Sequence, residues 1–229
     1  MSRDRVVVSI GGSILIPDHE DSVFIKELAQ MITELNKEVQ LVVICGGGKI
    51  ARYYTNTSAE LGASVFEQDL LGIGTTRLNA KLLALALGDI SSTEIPLNAA
   101  DAANMSVPGK VVVMGGTEPG HTTDAVASMV AKEMEADRVV NATSVDAVYT
   151  SDPKKDPNAK RLGKISIKEL GELVYKDHGA GKSSVFDPLG VQIAENNNID
   201  ILVVDGRDLA DLRNAILGKD IKGTFVNSH

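Results

Sequence analysis

Three stretches of the chain run an apolar strand directly into glycines. They are Val42-Val43-Ile44-Cys45-Gly46-Gly47-Gly48-Lys49, Val6-Val7-Val8-Ser9-Ile10-Gly11-Gly12-Ser13 and Val111-Val112-Val113-Met114-Gly115-Gly116-Thr117. A residue without Cβ lets backbone crowd against a ligand, and the unpaired amides of a following helix receive negative charge. One such junction is compatible with a tight turn and nothing more. Three in one chain point to an anion site, of the kind phosphate occupies, assembled along one edge of a parallel sheet. G-x-G-x-x-G is missing, and Gly46-Gly47-Gly48-Lys49 has neither the spacing nor the following Ser or Thr of a Walker loop, which disfavours Rossmann and P-loop readings.

The third junction continues as Gly116-Thr117-Glu118-Pro119-Gly120-His121-Thr122-Thr123-Asp124. Thr122 and Thr123 offer hydroxyls and helix-start amides to an oxyanion. Asp124, in the first turn, either caps the helix and compensates its dipole or organises a basic catalytic group. His121 is equally a loop hydrogen-bonder or a ligand contact. Beyond the next strand, Tyr149 and Asp152 could frame a purine through ring contact and ribose hydrogen bonding, although an ordinary loop uses the same residue types. Lys49, Arg52, Arg77, Lys154, Lys155 and Lys182 fall near these loops. Phosphoryl transfer needs such cations and oriented amides more than a covalent nucleophile. No Gly-x-Ser-x-Gly elbow is present. The four histidines are scattered without metal-ligand spacing, so no protein-built metal site is expected, although Mg²⁺ held mainly by nucleotide phosphates would leave little trace.

The elements that must position these residues follow from periodicity. Strands are predicted over 5–10, 40–45, 93–97, 110–114, 137–141, 200–204 and 223–227. Helices are predicted over 21–36, from Gly48 through Ile50, Tyr53, Tyr54 and Leu61, then over 75–87, 122–135, 187–196 and 208–217. In the 75–87 helix, Leu78, Leu82, Leu83 and Ala86 form the apolar side. Ser166 to Glu169 fits a capping box opening a helix toward Val174, and the two Asp-Pro steps make 149–158 a loop. Unbroken Val runs at 6–8 and 111–113 suit strands covered on both faces. The alternation is that of an α/β protein with a mainly parallel sheet between helix layers.

Composition sets the outer limits. A formal charge of −8 and a pI near 5.0 argue against a general nucleic-acid binder, and the lack of Trp argues against a stacking platform for single strands. Cys45 is the one cysteine, expected to be a buried small hydrophobe. Short apolar runs and an N-terminus that becomes strand almost at once lead to the expectation of a soluble cytoplasmic protein.

Taken in order, Ile10-Gly11-Gly12-Ser13, Gly46 to Arg52, Gly72 to Ala80, Gly115 to Ala125 and Val145 to Pro157 resemble the amino acid kinase superfamily, in particular its archaeal uridylate (UMP) kinase branch. The resemblance covers nearly the whole chain. It implies an open three-layer αβα sandwich in one domain, with residues 1–136 receiving UMP and 137–229 holding ATP. By motif match Gly47, Asp69, Gly116, Thr117, Glu118, Pro119, Gly120, His121 and Thr122 would contact UMP. Gly11, Gly12, Ser13, Gly48, Arg52, Thr143, Tyr149 and Asp152 would contact ATP, and Asp124 would organise the site. The resemblance also implies Mg²⁺ and a homohexamer built from dimers. Many relatives carry lysine where this chain has Ser9, so Lys49 or Arg52 is expected to supply the missing charge, with Arg77 and Lys182 as further candidates. Alternatives left open are a related small-molecule kinase and a non-catalytic nucleotide sensor.

Overall fold

The computed structural model describes residues 3–17, 21–92, 94–153, 155–176 and 185–228. In chain order the elements are β1 Arg5–Ile10, α1 Gly12–Leu15, α2 Asp21–Leu35, β2 Gln40–Cys45, α3 Gly48–Glu60, α4 Val65–Leu87, α5 Ala99–Met105, β3 Val111–Met114 and α6 Thr123–Glu133. They continue with β4 Arg138–Thr143, β5 Val148–Tyr149, β6 Arg161–Leu162, β7 Lys164–Ser166, α7 Ile167–Lys176, α8 Pro188–Asn196, β8 Asp200–Asp205, α9 Leu209–Ile216 and β9 Thr224–Asn227.

One sheet has the order β3-β2-β1-β4-β8-β9-β7, parallel throughout except where β9 runs against β8. Helices cover both faces, which is the expected three-layer sandwich. Strand period sorts the core: Val6, Val8 and Ile10 pack with α2, α4 and α9, whereas Val7 packs with α6 and the α7–α8 side. Val6 and Val7 have no exposed surface, and each such side chain contributes roughly 1.5–3 kcal/mol of burial. Ser9 shares the face of Val7 and is directed at α6. Its place there is set by the pleat.

The chain lays down β1, β2 and β3 outward in one direction and then crosses back to set β4 on the other flank of β1. In open parallel sheets the crevice outside the strand carboxyl ends, at such a reversal, is where ligands bind. All three glycine junctions leave strands at that edge. A two-stranded antiparallel ribbon, β5 with β6, rises from the same end of β4, pairing Tyr149 with Arg161.

The structure corrects several expectations. α4 begins ten residues before the predicted Thr75, because Ser64 and Glu67 form a reciprocal capping box there. It buries Ala80, Leu83 and Leu87, while Leu78 and Leu82 are 66% and 46% exposed. The predicted apolar side was therefore misplaced by part of a turn. Tyr53, Tyr54 and Leu61 on and after α3 are likewise exposed. Residues 94–97 form no strand; the only pairing near them is an isolated bridge from Ser91 to Val111. The span Val65–Ile90 is apolar and long enough to cross a membrane by length and composition, which the reading of only short apolar runs had passed over.

At the opposite edge of the sheet Arg138 at the start of β4 is buried. Its guanidinium donates to the Ile216 carbonyl at 3.2 and 2.9 Å and meets Asp4 at 2.7 Å, closing the C-terminus of α9. Arg138→Met leaves that carbonyl without its donor. Thermal or urea unfolding is expected to register a loss of roughly 1–3 kcal/mol, with ligand binding per folded molecule unchanged.

Candidate active site

The first two glycine turns interlock backbone to backbone. A Cβ added to Gly12 would lie 2.1 Å from the Gly48 nitrogen, one on Gly46 would lie 2.6 Å from the Gly12 nitrogen, and one on Gly48 would lie 2.6 Å from the Gly12 carbonyl carbon. Gly48 also has φ +64, in the left-handed region that disfavours side chains. The third turn docks on α4, where a Cβ on Gly115 would stand 2.5 Å from Thr76 Oγ1. These turns are glycine because the ends of β1, β2 and β3 must come closer than side chains permit.

The outcome is a cleft of about 290 Å³ lined by Gly47, Gly48, Arg52, Thr55, Asp69, Thr76, Gly116, Glu118, Gly120, His121, Thr122 and neighbours. It gathers most of the residues expected around UMP, together with Gly48 and Arg52 from the set expected at ATP. Thr117 and Pro119 lie in the same loop but not in the cleft lining. The loop is pinned to α4 at three heights. The Gly116 amide donates to Thr76 Oγ1 at 2.7 Å, Arg77 donates to the Gly116 and Thr117 carbonyls at 3.1 and 2.9 Å, and the Gly120 amide donates to Asp69 Oδ2 at 2.9 Å. Glu118 and His121 form an ion pair at 3.2 Å when the imidazole is protonated.

These bonds reassign two cations. Arg77 braces the loop through carbonyls and does not present its guanidinium as a free charge. Lys49 Nζ donates to the Pro17 carbonyl at 3.1 Å, away from the cleft lining. Among the described residues, Arg52 is the one of these cations that lines the cleft. Lys154 and Lys182 fall outside the described residues, and Lys155 pairs with Asp152 at 3.3 Å.

On the other flank, the Gly11 amide donates to the Ala142 carbonyl at 2.9 Å, so the end of β4 and Thr143 lie directly beside the Gly11-Gly12-Ser13 turn. Gly206, after β8, donates to the Thr143 carbonyl at 2.9 Å. Tyr149, on β5, donates its hydroxyl to Asp146 at 3.0 Å, and Arg161 holds the same carboxylate at 3.0 Å. The ribbon that carries Tyr149 is thereby tied to Asp146 in the turn that follows β4.

Asp124 follows the lining residue Thr123 and is not itself part of the cleft lining. It is half-buried in the first turn of α6, whose N-cap is Thr122, and Oδ1 accepts from Ser9 Oγ at 2.8 Å. Thr122 donates to Asp187 Oδ2 at 2.8 Å, and Asp187 caps α8 by accepting from the Leu189 and Gly190 amides. Burial pushes the Asp124 pKa up to about 6; the Ser9 hydrogen bond opposes this and the charge of Asp187 adds to it. Neither Ser9 nor Asp187 was picked out for such a role from sequence. Ser9 stood out only as the position where many relatives carry lysine and Asp187 only as the start of the helix predicted over 187–196, and their partners are distant in the chain.

Two outcomes follow. Gly12→Ala must drive the two turns apart, and displacement of about 1 Å at a transfer site costs on the order of 100-fold, so kcat/KM for phosphoryl transfer should fall by at least that much. Asp124 binds its proton more tightly folded than unfolded, so its contribution to stability declines as pH rises from about 4 to about 6, and the penalty is complete above that. Asp124→Asn removes the charge and still accepts from Ser9. At pH 7 the variant is expected to gain about 1–2 kcal/mol in denaturant unfolding, and to lose that advantage at pH 4.

Comparison with known proteins agrees with this geometry. The sequence profile described as "Amino acid kinase family" matches residues 4–205. A protein named uridylate kinase from Methanobrevibacter smithii is 40% identical over 225 residues, spanning 98% of this chain and 99% of its own. Another of that name from Methanococcoides burtonii is 43% identical over 218 residues, spanning 95% and 93%. The crystal structure of uridylate kinase from Archaeoglobus fulgidus superposes with a TM-score of 0.86 at 39% identity, covering 96% of this chain and 99% of that one. With the family profile matched over most of its length and near-full-length similarity to proteins of that name, the chain belongs to the amino acid kinase family and groups within it with the uridylate kinases.

Proposed function

We propose that the protein is a UMP kinase that transfers the γ-phosphoryl group of ATP to UMP, giving UDP and ADP for pyrimidine nucleotide synthesis. The observation that carries this is the interlocking of the Gly11-Gly12 turn with the Gly47-Gly48 turn, the latter lining a cleft with Gly116, Glu118, Gly120, His121 and Thr122 while Gly11 lies beside Thr143. UMP occupies the cleft of Gly47, Asp69 and Gly116 to Thr122, within residues 1–136. ATP lies over Gly11, Gly12, Ser13 and Gly48 toward Thr143, Tyr149 and Asp152, drawing mainly on residues 137–229. The relatives named uridylate kinase support the choice of acceptor.

Transfer is in line. A UMP phosphate oxygen forms a bond to the γ phosphorus as the bond from that phosphorus to the bridging oxygen of ADP breaks. Near neutral pH the UMP phosphate is largely dianionic, its second pKa lying near about 6, and no strong general base is required. The chain supplies position and charge compensation: the glycine turns hold the phosphates close, and Arg52 sets a guanidinium against the oxygens that gain charge. Among the described residues no three His, Cys, Asp or Glu side chains cluster as a metal cage. Mg²⁺ carried on the nucleotide phosphates and water would offset phosphate charge there.

We assign self-association to the outer surface of α3 and α4. Tyr53, Leu61, Val65 and Phe66 are 67%, 83%, 74% and 61% exposed, an apolar stretch of a kind that marks an interface. A second copy covering it is the first step toward a homohexamer built from dimers. The protein is then cytoplasmic, with the apolar length of α4 explained by protein contact.

An ADP-release assay with UMP, CMP, acetylglutamate and isopentenyl phosphate tests the function: UMP should be the preferred acceptor, and preference for a carboxylate or isopentenyl phosphate would overturn it. Arg52→Ala should lower kcat by about 100-fold or more, and Lys49→Ala by distinctly less. Light scattering should find Leu61→Asp with Phe66→Asp at a lower mass than the parent protein.

A further inference from the structure

Ser9 is 1% exposed, in the interior of the sheet between Ile44 of β2 and Asn141 of β4. A hydroxyl so placed must find a partner. It could have bonded within its strand or left the position to an apolar residue like those preceding it. Instead its oxygen reaches out of the sheet to Asp124 Oδ1 at 2.8 Å, across 115 residues of sequence. Ile10 follows and then the Gly11-Gly12 turn, while Asp124 follows Thr122 and Thr123 of the acceptor cleft. The bond therefore ties the strand that leads into the Gly11-Gly12 turn to the helix that begins directly after the lining residues Thr122 and Thr123.

We propose that Ser9 is a positioning residue for phosphoryl transfer, its buried hydroxyl holding the Asp124 carboxylate in one orientation between the β1 glycine turn and the acceptor loop. The proposal deepens the kinase reading and rests on it. A donor to a carboxylate favours the ionised form, and here it works against the neighbours. The charged and titratable groups on the elements packed around α6 identify what those neighbours are. On β4, Arg138 is engaged with Asp4 at the far sheet edge. On α5, Asp101 is bonded to Asn98. On β2, Cys45 is kept neutral by burial, its pKa raised to about 12. On α8, Glu195 lies near the C-terminal end and Asp187 at the N-cap. Asp187 is the one whose charge reaches Asp124, and it is repulsive. Among the described residues, Ser9 is thus the group that keeps Asp124 ionised and aimed while Asp187 opposes it.

The test compares wild type, Ser9→Ala, Ser9→Thr, Asp124→Ala and the double variant Ser9→Ala with Asp124→Ala, because alanine at 124 removes the acceptor. The readouts are the pH dependence of kcat/KM for UMP between pH 5 and 8 and thermal unfolding as a check on folding. UMP ionises in the same range, but equally for every variant, so a displacement between variants belongs to the protein. Removing the Ser9 donor should move the acid limb to higher pH by roughly one unit and lower kcat/KM at pH 7 by about tenfold. Ser9→Thr should restore the wild-type limb. With Asp124 already replaced, Ser9→Ala should change kcat/KM less than about twofold, the two residues acting as one unit. An acid limb in Ser9→Ala that coincides with wild type, or an equal loss in both backgrounds, overturns the assignment while leaving the kinase reading intact. Wild type that forms no ADP with UMP overturns the kinase reading and this proposal with it. Should Ser9→Ala fail to fold, Ser9→Cys keeps the volume with a weak donor and is read by the same two criteria.

Discussion

Contact between two backbones, with no side chain between them, is the constraint on which the site depends. Gly12 and Gly48 meet at distances where a Cβ has no room, and this brings the ends of β1 and β2 close enough to share a ligand. Helix packing or salt bridges could hold the strands at their usual separation but could not bring the turns into register. The parallel sheet fixes direction, the reversal of strand order beside β1 opens the crevice, and the glycines let the two turns meet.

The acceptor loop is managed differently. Its conformation is imposed by α4, through Thr76, Arg77 and Asp69, each bonded to backbone. A loop held from α4 through its carbonyls and amides keeps its shape without its side chains being used for that anchoring. Arg77 illustrates the cost of counting cations from a sequence: its charge stands beside the site but is spent on carbonyls. Asp124 makes a parallel point for acids, since its proton affinity is set by two residues that sequence distance conceals.

Much of the fold was legible because strand ends, valine runs and caps are local signals. β1, β2, α2 and the capping box of α7 lie within a residue or two of expectation. The face of α4 was not legible. Leucines surround much of that helix, so periodicity could not separate those facing the sheet from those facing outward, and its true start was marked by a Ser64–Glu67 box upstream of the stretch that had been read as helix. The short ribbon β5–β6 escaped notice because pairing between Val148 and Leu162 across a polar loop leaves no alternation to read. At the site, the glycine turns and the loop 116–124 were visible as motifs. The roles of Ser9 and Asp187 were not, because a hydrogen bond between remote residues has no signature in either segment alone.

α4 has one further property. Its inner side carries the three anchors of the acceptor loop, and its outer side carries Val65, Phe66 and the leucines left bare along its length. A helix of 23 residues is too stiff for its two sides to move separately. Any neighbour that rolls or slides this rod from outside carries Asp69, Thr76 and Arg77 with it, and the backbone they hold at Gly116, Thr117 and Gly120 shifts in the same motion.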